Sequence, residues 1–207
     1  MPQRLTPIVR NLLLLNVGVW LVWQFSGDPE NLARYLLLWK TDVLFPRPDY
    51  SPYGFEPVQL VGAFFSHERF THLLFNMLGL YFLGVAVELV MGSQRFLAFY
   101  LFVGVTSTLA VAVLDPTDNP VLGASGAISG LLMAFAFYFP SARLSLLFLP
   151  FVSFKAIHFA LGLFAFSAFM VFGVEDQGQV SHFGHLMGMV MGILYFVVER
   201  KQMRRPW

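Results

Sequence analysis

One serine and a handful of histidines carry the chemistry open to this sequence. Ser125 sits in Gly123-Ala124-Ser125-Gly126-Ala127-Ile128-Ser129-Gly130, at the mouth of an apolar run that ends near Phe139. Serine is a weak nucleophile until a general base takes its proton, and histidine is the usual base because its reference pKa near ~6.5 suits neutral pH. His182 and His185 open another apolar run, and His72 and Asn76, four apart and so on one helical face, open a third. A carbonyl attacked by Ser125 develops a negative oxygen that needs donors aimed at it, each worth ~2.7 to 4 kcal/mol, and His72 and Asn76 are donors of that type. A helix starting at Ser125 adds unpaired backbone N–H groups and a positive dipole end at the same point. Metal chemistry is the rival use of histidines. No His-x-x-x-His occurs and no carboxylate accompanies the 182/185 pair, so a zinc site is not expected.

The elements that must hold these groups are membrane helices. The chain has 207 residues, 57% of them hydrophobic and 12% charged, with mean hydropathy +0.67, too little polar surface for a soluble globule of that size. The apolar runs have helical length and do not alternate, which favours an all-α bundle over a barrel. Without cysteine there are no disulfides and no thiol catalysis. A net charge of +1 gives no basic field, and no nucleic-acid partner is expected.

Six spans are predicted: a first to about Phe25, with Trp20 and Trp23 as interfacial anchors of a retained helix, then about 70 to 90, 95 to 114, 122 to 139, 148 to 173 and 181 to 198. Between the first two lies a long external loop, about 26 to 69, rich in Pro and charge. It contains two apolar pieces, Leu32 to Trp39 and Val58 to Phe65, too short to span and read as interfacial or packed helices. With the N-terminus inside, cytoplasmic segments hold Arg4, Arg10, Arg95, Arg143, Lys155, Arg200, Lys201, Arg204 and Arg205, nine of the thirteen basic residues. Asp115, Asp118, Glu175 and Asp176 then fall in short outer loops without a base, so both termini are predicted to be cytoplasmic. The whole of 1–207 reads as a single membrane domain.

In that topology the second, fourth and sixth spans all run inward, and their N-terminal ends bring His72, Asn76, Ser125, His182 and His185 to one outer depth. Polar groups at membrane depth default to function; the bland reading is interhelical hydrogen bonding at ~0.6 kcal/mol per contact. Gly126 and Gly130 on the fourth span, and Gly188 and Gly192 on the sixth, form small faces for close backbone approach. His185, three and seven residues before those glycines, shares their face, whereas His182 sits a turn nearer the outer surface; His185 is therefore favoured as the base. His67 reads as a loop-end residue and His158 as an interfacial one. From Ser125 to Phe139 is only 15 residues, ~22 Å of helix against ~30 Å of hydrocarbon. Ser125 is thus expected below the outer surface, in a water-accessible cavity, with the Asp115 to Leu122 loop descending to meet it.

These residues resemble the rhomboid family of intramembrane serine proteases. The resemblance covers most of residues 58 to 198: His72-x-x-x-Asn76, Gly84 through Glu88, Gly92-Ser93-Gln94-Arg95-Phe96, Gly-Ala-Ser-Gly at 123 to 126, and His185-x-x-Gly188-x-x-x-Gly192. It implies a six-helix bundle with Ser125 as nucleophile, His185 as general base, and His72, Asn76 and the Ser125 backbone N–H as the oxyanion hole. It further implies transmembrane proteins as substrates, cut near the outer membrane boundary without cofactor. The 174–180 loop and the fifth span would form the lid and lateral gate, and a bacterial inner membrane the location. The sequence departs from the family at Val58-Gln59, where a Trp-Arg pair is usual, and at Ser129, where an aromatic residue often stacks on the base. A non-catalytic scaffold binding transmembrane segments is the alternative; a transporter is disfavoured because the halves show no repeat. Oligomeric state, cleavage preference and physiological substrate are not written in the sequence.

Overall fold

The computed structural model describes residues 4–39, 55–115, 120–146, 149–174 and 181–203. Lys40, Asp42, Arg47, Asp49, Asp118, Asn119, Glu175, Asp176, most of the 174–180 loop, Arg204 and Arg205 lie outside them. In chain order the elements are α1 (Pro7–Phe25), α2 (Pro29–Leu36), α3 (Gln59–Phe65), α4 (Phe70–Met91), α5 (Ser93–Leu114), α6 (Ser125–Tyr138), β1 (Arg143–Leu146), β2 (Leu149–Lys155), α7 (Ala156–Gly173) and α8 (His182–Met203). Five helices, α1, α4, α5, α7 and α8, are long and apolar enough to cross a membrane, and α6 is a shorter apolar helix.

Local chemistry explains the helix boundaries. Proline at the first positions of α1 and α2 costs no hydrogen bond, because those N–H groups have no intrahelical partner, and the Asp28 carboxylate caps α2 by accepting from the Asn31 N–H at 3.0 Å. Gly92, at φ +80°, breaks α4 from α5 in a single residue, a conformation that a side chain would strain.

α6 sits at the centre. It is apolar on every side and its residues from Ser129 to Ala136 are buried, the pattern of a helix enclosed by others. It packs against α3, α4, α5, α7 and α8, and its contact with α8 is the most extensive between any two elements. Glycine creates that contact. A Cβ on Gly188 would overlap the Gly126 carbonyl; one on Gly130 would lie 2.6 Å from the Gly188 carbonyl, and one on Gly192 would lie 2.8 Å from Gly130 Cα. Gly184 extends the seam, its carbonyl 3.4 Å from the Cβ position of Gly126. The two backbones therefore touch along about two turns, as small-residue faces permit.

At the opposite end of α4 a buried carboxylate ties three helices. Glu88 accepts from the N–H groups of Ile8 at 3.1 Å and Val9 at 2.9 Å, in the first turn of α1, and from the Ser93 hydroxyl at 2.6 Å, at the start of α5. An anion at a helix N-terminus satisfies orphan donors and meets the positive dipole end.

Three sequence expectations change in detail. The run from 148 does not enter a helix at once: Arg143–Leu146 and Leu149–Lys155 pair as an antiparallel hairpin, Arg143 opposite Lys155, and α7 begins only at Ala156, so the chain is mostly helical and not all-α. β-branched and aromatic residues around Pro150 favour extended backbone over helix. The two short apolar pieces of the first loop are the helices α2 and α3, and α3 is sunk into the bundle, with Ala63, Phe64 and Phe65 buried against α5 and α6. At the unusual pair, Val58 is exposed while Gln59 is fully buried; its Oε1 accepts from the Trp39 N–H at 3.1 Å and its Nε2 donates to the Arg34 carbonyl at 2.9 Å. Through its carboxamide Gln59 ties α3 to the end of α2 and the residues that follow it.

Gly188→Ala should destabilise the fold by about 1 to 3 kcal/mol, the usual cost of forcing atoms into a closed interface, whereas Gly18→Ala, where a Cβ meets nothing within 4 Å, should be neutral or slightly stabilising. Thermal unfolding in detergent reads the difference, and equal midpoints would show that the seam has room to spare.

Candidate active site

Ser125 is the first residue of α6, and the segment leading to it is bonded strand-like and loop-like to the first external loop. Val121 and Leu38 exchange both backbone hydrogen bonds, at 2.9 and 3.2 Å. The Gly123 N–H donates to the Ala63 carbonyl at 2.8 Å, and the Ala124 N–H donates to His67 Nε2 at 3.4 Å. Residues 121 to 124 are thus bonded to Leu38, Ala63 and His67 of the first loop; most of the loop expected to descend to Ser125 lies outside the described residues.

Gly123 is required by two independent constraints. Its φ is +111°, and a Cβ there would lie 2.5 Å from His72 Cε1 and 2.7 Å from His72 Nε2. Glycine thus lets the backbone just before Ser125 lie flat against the imidazole of α4. One turn on, Asn76 is buried and spends one amide hydrogen on the His72 carbonyl, at 3.1 Å; its second remains free to donate.

With the N–H groups of 121, 123 and 124 committed, the Ser125 N–H is the next donor in line. It belongs to the first turn of α6, has no intrahelical acceptor and finds no protein partner among the described residues. The Ser125 side chain is half-buried, as is His185, and the hydroxyl makes no hydrogen bond among the described residues. His185 stands on α8 beside Gly184, whose carbonyl abuts Gly126, so the seam sets Ser125 and His185 at one level. His185 lies within electrostatic reach of the imidazoles of both His72 and His182. The His182 ring meets His185 edge-on at 6.1 Å and Phe166 of α7 at 5.6 Å. With Ser129 in place of an aromatic on α6, the ring beside His185 is that of His182, itself backed by Phe166.

His67 was read from sequence as a loop-end residue, and the structure makes it part of the site's framework. It is fully buried, its ring centroid is 5.0 Å from that of His72, and its Nε2 receives the Ala124 N–H. Burial, reinforced by the neighbouring His72 and opposed by the Phe65 backbone, pushes its pKa down to about 3. The ring is therefore neutral at physiological pH, as an acceptor must be. Its five-residue spacing from His72 gave no hint of this, because the two residues are separated by a break between helices. His158 lies in α7 and has no role at this cluster. Among the described residues no group of three or more His, Asp or Glu is placed to hold a metal ion.

Comparison with known proteins places this arrangement. A family model described as the Rhomboid domain matches residues 54–202, more than half of the chain. The chain is 29% identical over 213 residues to "Rhomboid protein 1, mitochondrial" of Saccharomyces cerevisiae, covering 96% of this chain and 56% of that protein. It is 28% identical over 203 residues to "Putative rhomboid protease YdcA" of Bacillus subtilis, covering 97% and 94%. It is 34% identical over 191 residues to "Presenilin-associated rhomboid-like protein A, mitochondrial" of Danio rerio, covering 90% and 46%. The chain thus spans about half the length of the mitochondrial relatives.

The depressed His67 pKa has a sign that can be tested. An unfolded His67 binds a proton below about pH 6.5 and the folded one only near 3, so its neutral burial contributes fully above about 6.5 and is lost as pH falls through that window. The limiting slope is ~1.4 kcal/mol per pH unit. His67→Gln should therefore lose less stability than the parent between pH 6.5 and 4.5, read as unfolding midpoints in detergent; parallel curves would place His67 in contact with water.

Proposed function

The chain belongs to the rhomboid family, and from that footing we propose that it is an intramembrane serine endopeptidase, cutting transmembrane-segment substrates near the outer boundary of the bilayer. In this reading the bundle has six spans, α1, α4, α5, α6, α7 and α8, with both termini cytoplasmic on the positive-inside bias of its basic residues. The host membrane is a bacterial inner membrane, which the nearly full-length likeness to a Bacillus subtilis protein favours over the partial likeness to mitochondrial ones.

The observation that carries the reading is the start of α6: a free Ser125 N–H beside a glycine pressed against His72, at the level where α8 presents His185. Ser125 attacks the scissile carbonyl as His185 takes its proton. The carbonyl oxygen, now negative, is held by the Ser125 N–H, His72 and the free amide hydrogen of Asn76. Collapse of the tetrahedral intermediate breaks the C–N bond, and His185 returns its proton to the leaving amine. Water, activated by the same imidazole, then releases the acyl group from Ser125. A Ser-His dyad needs no cofactor, and donors fixed in a partly buried site stabilise the oxyanion more than the same donors would in bulk water. Short α6, 14 residues or ~21 Å against ~30 Å, sets this chemistry below the headgroups, where a substrate helix must lose its own backbone bonds to enter.

Ser125→Ala should abolish cleavage of a single-span substrate and labelling by a fluorophosphonate, and His185→Ala should lower turnover about 10³-fold or more. His182→Ala should cost less than about tenfold, and Asn76→Ala about 10² to 10³-fold in kcat. Cleavage assays with product masses decide. A properly folded protein that neither cuts nor takes the label would leave the non-catalytic scaffold as the function of this bundle.

A further inference from the structure

Resting on that reading of Ser125, we infer that His67 is a positioning residue for the nucleophile: its Nε2, by accepting the Ala124 N–H, sets the turn that aims the Ser125 N–H and hydroxyl. The argument begins with what the turn lacks. Residues 123 to 125 lead into a helix whose first-turn donors have no intrahelical acceptors, and Gly123, at φ +111°, is the residue least able to hold a conformation by itself. Something outside must choose which of these N–H groups points where.

The α3–α4 connection makes that choice with two acceptors one turn apart. The Ala63 carbonyl takes the Gly123 N–H at 2.8 Å and His67 takes the Ala124 N–H at 3.4 Å. Were the second bond absent, Ala124 N–H would compete with Ser125 N–H for whatever acceptor enters the site. The connection is itself fixed: the Ser66 N–H bonds the Ala63 carbonyl at 3.1 Å and the Ser66 hydroxyl bonds the Gly62 carbonyl at 2.7 Å. His67 also meets the His72 ring edge at 5.0 Å. One imidazole thus orients both the backbone before the nucleophile and a second imidazole that packs on Gly123.

A structural filler would not need this form. Any apolar side chain could occupy the space, yet the site keeps an imidazole whose Nδ1 is buried without a partner at hydrogen-bonding geometry, an arrangement that costs stability. The ring is uncharged at neutral pH, and an imidazole that accepts at Nε2 carries its one proton on Nδ1.

The test compares an acceptor-bearing and an acceptor-free replacement. His67→Gln keeps an acceptor near the position of Nε2; His67→Leu fills space alone. Fluorophosphonate labelling at Ser125 and steady-state cleavage are measured for both, on material that is monodisperse and unfolds cooperatively. The expected result is at least a tenfold loss of labelling rate and kcat in His67→Leu with KM within twofold, and recovery to within about threefold of the parent in His67→Gln. If His67→Leu does not fold, Ala124→Pro removes the donated N–H while leaving His67 in place, since the Ala124 φ of −72° suits proline; it should reproduce the loss of labelling. A Leu or Pro variant that labels at the parental rate, or a Gln variant as impaired as Leu, overturns the inference while leaving the nucleophile assignment intact. Parent protein unlabelled at Ser125 removes the assignment, and this inference with it.

Discussion

The direct backbone contact between α6 and α8 is the constraint on which the remainder of this protein depends. The two helices are joined by the absence of Cβ atoms at Gly130, Gly188 and Gly192, and toward their far ends the Tyr138 hydroxyl of α6 donates to the Glu199 carboxylate of α8 at 3.4 Å. In lipid there is no hydrophobic gain from pressing two apolar helices together, so packing density has to do the work that water does for soluble proteins. The consequence is steric and local. Residues flanking the glycines, Ser125 on one helix and His185 on the other, are carried to the same level whatever else the bundle does. A side chain at Gly130, Gly188 or Gly192 would force the two backbones apart.

Around this dry seam the polar groups form two separate systems at opposite ends of α4. At one end Glu88 gathers the starts of α1 and α5; a single carboxylate replaces the water that three helix termini would otherwise need. At the other, His67, His72 and Asn76 face the start of α6. The first is fully paired and serves as a pin. The second is deliberately incomplete, with a free Ser125 N–H, a half-exposed hydroxyl and an amide hydrogen in reserve. Unsatisfied donors buried in a protein are costly, which sets this end of α4 apart from the Glu88 end, where the carboxylate is paired.

The external loop contributes more than its composition suggests. Gln59, buried and bonded at both ends to Trp39 and Arg34, locks α3 to α2, and the Leu38–Val121 pair carries that lock to the approach to Ser125. At the Val58-Gln59 departure the chain thus keeps a buried side chain bonded across the loop. At the other departure, Ser129 on α6, the ring that meets His185 is that of His182, which itself packs on Phe166 of α7.

Sequence alone was sufficient for whatever is periodic or stoichiometric: spans of helical length, because backbone polar groups in lipid must be paired within a segment; the small faces of α6 and α8, because four-residue spacing is one helical turn; and the candidate set Ser125, His185, His72 and Asn76, because each opens an apolar run. It was blind to what depends on a break between elements. His67 lies beyond the end of α3, so no periodicity relates it to His72 or Ala124, and only the chain's path through the connection turns it inward. Likewise the hairpin from Arg143 to Lys155 is written in apolar residues that a hydropathy count cannot tell from a span, and the burial of Gln59 follows from where Trp39 and Arg34 happen to end. Tertiary structure decided these because each is set by a partner on another element: Gln59 by Trp39 and Arg34, His67 by Ala124, and the hairpin by the pairing of its two strands.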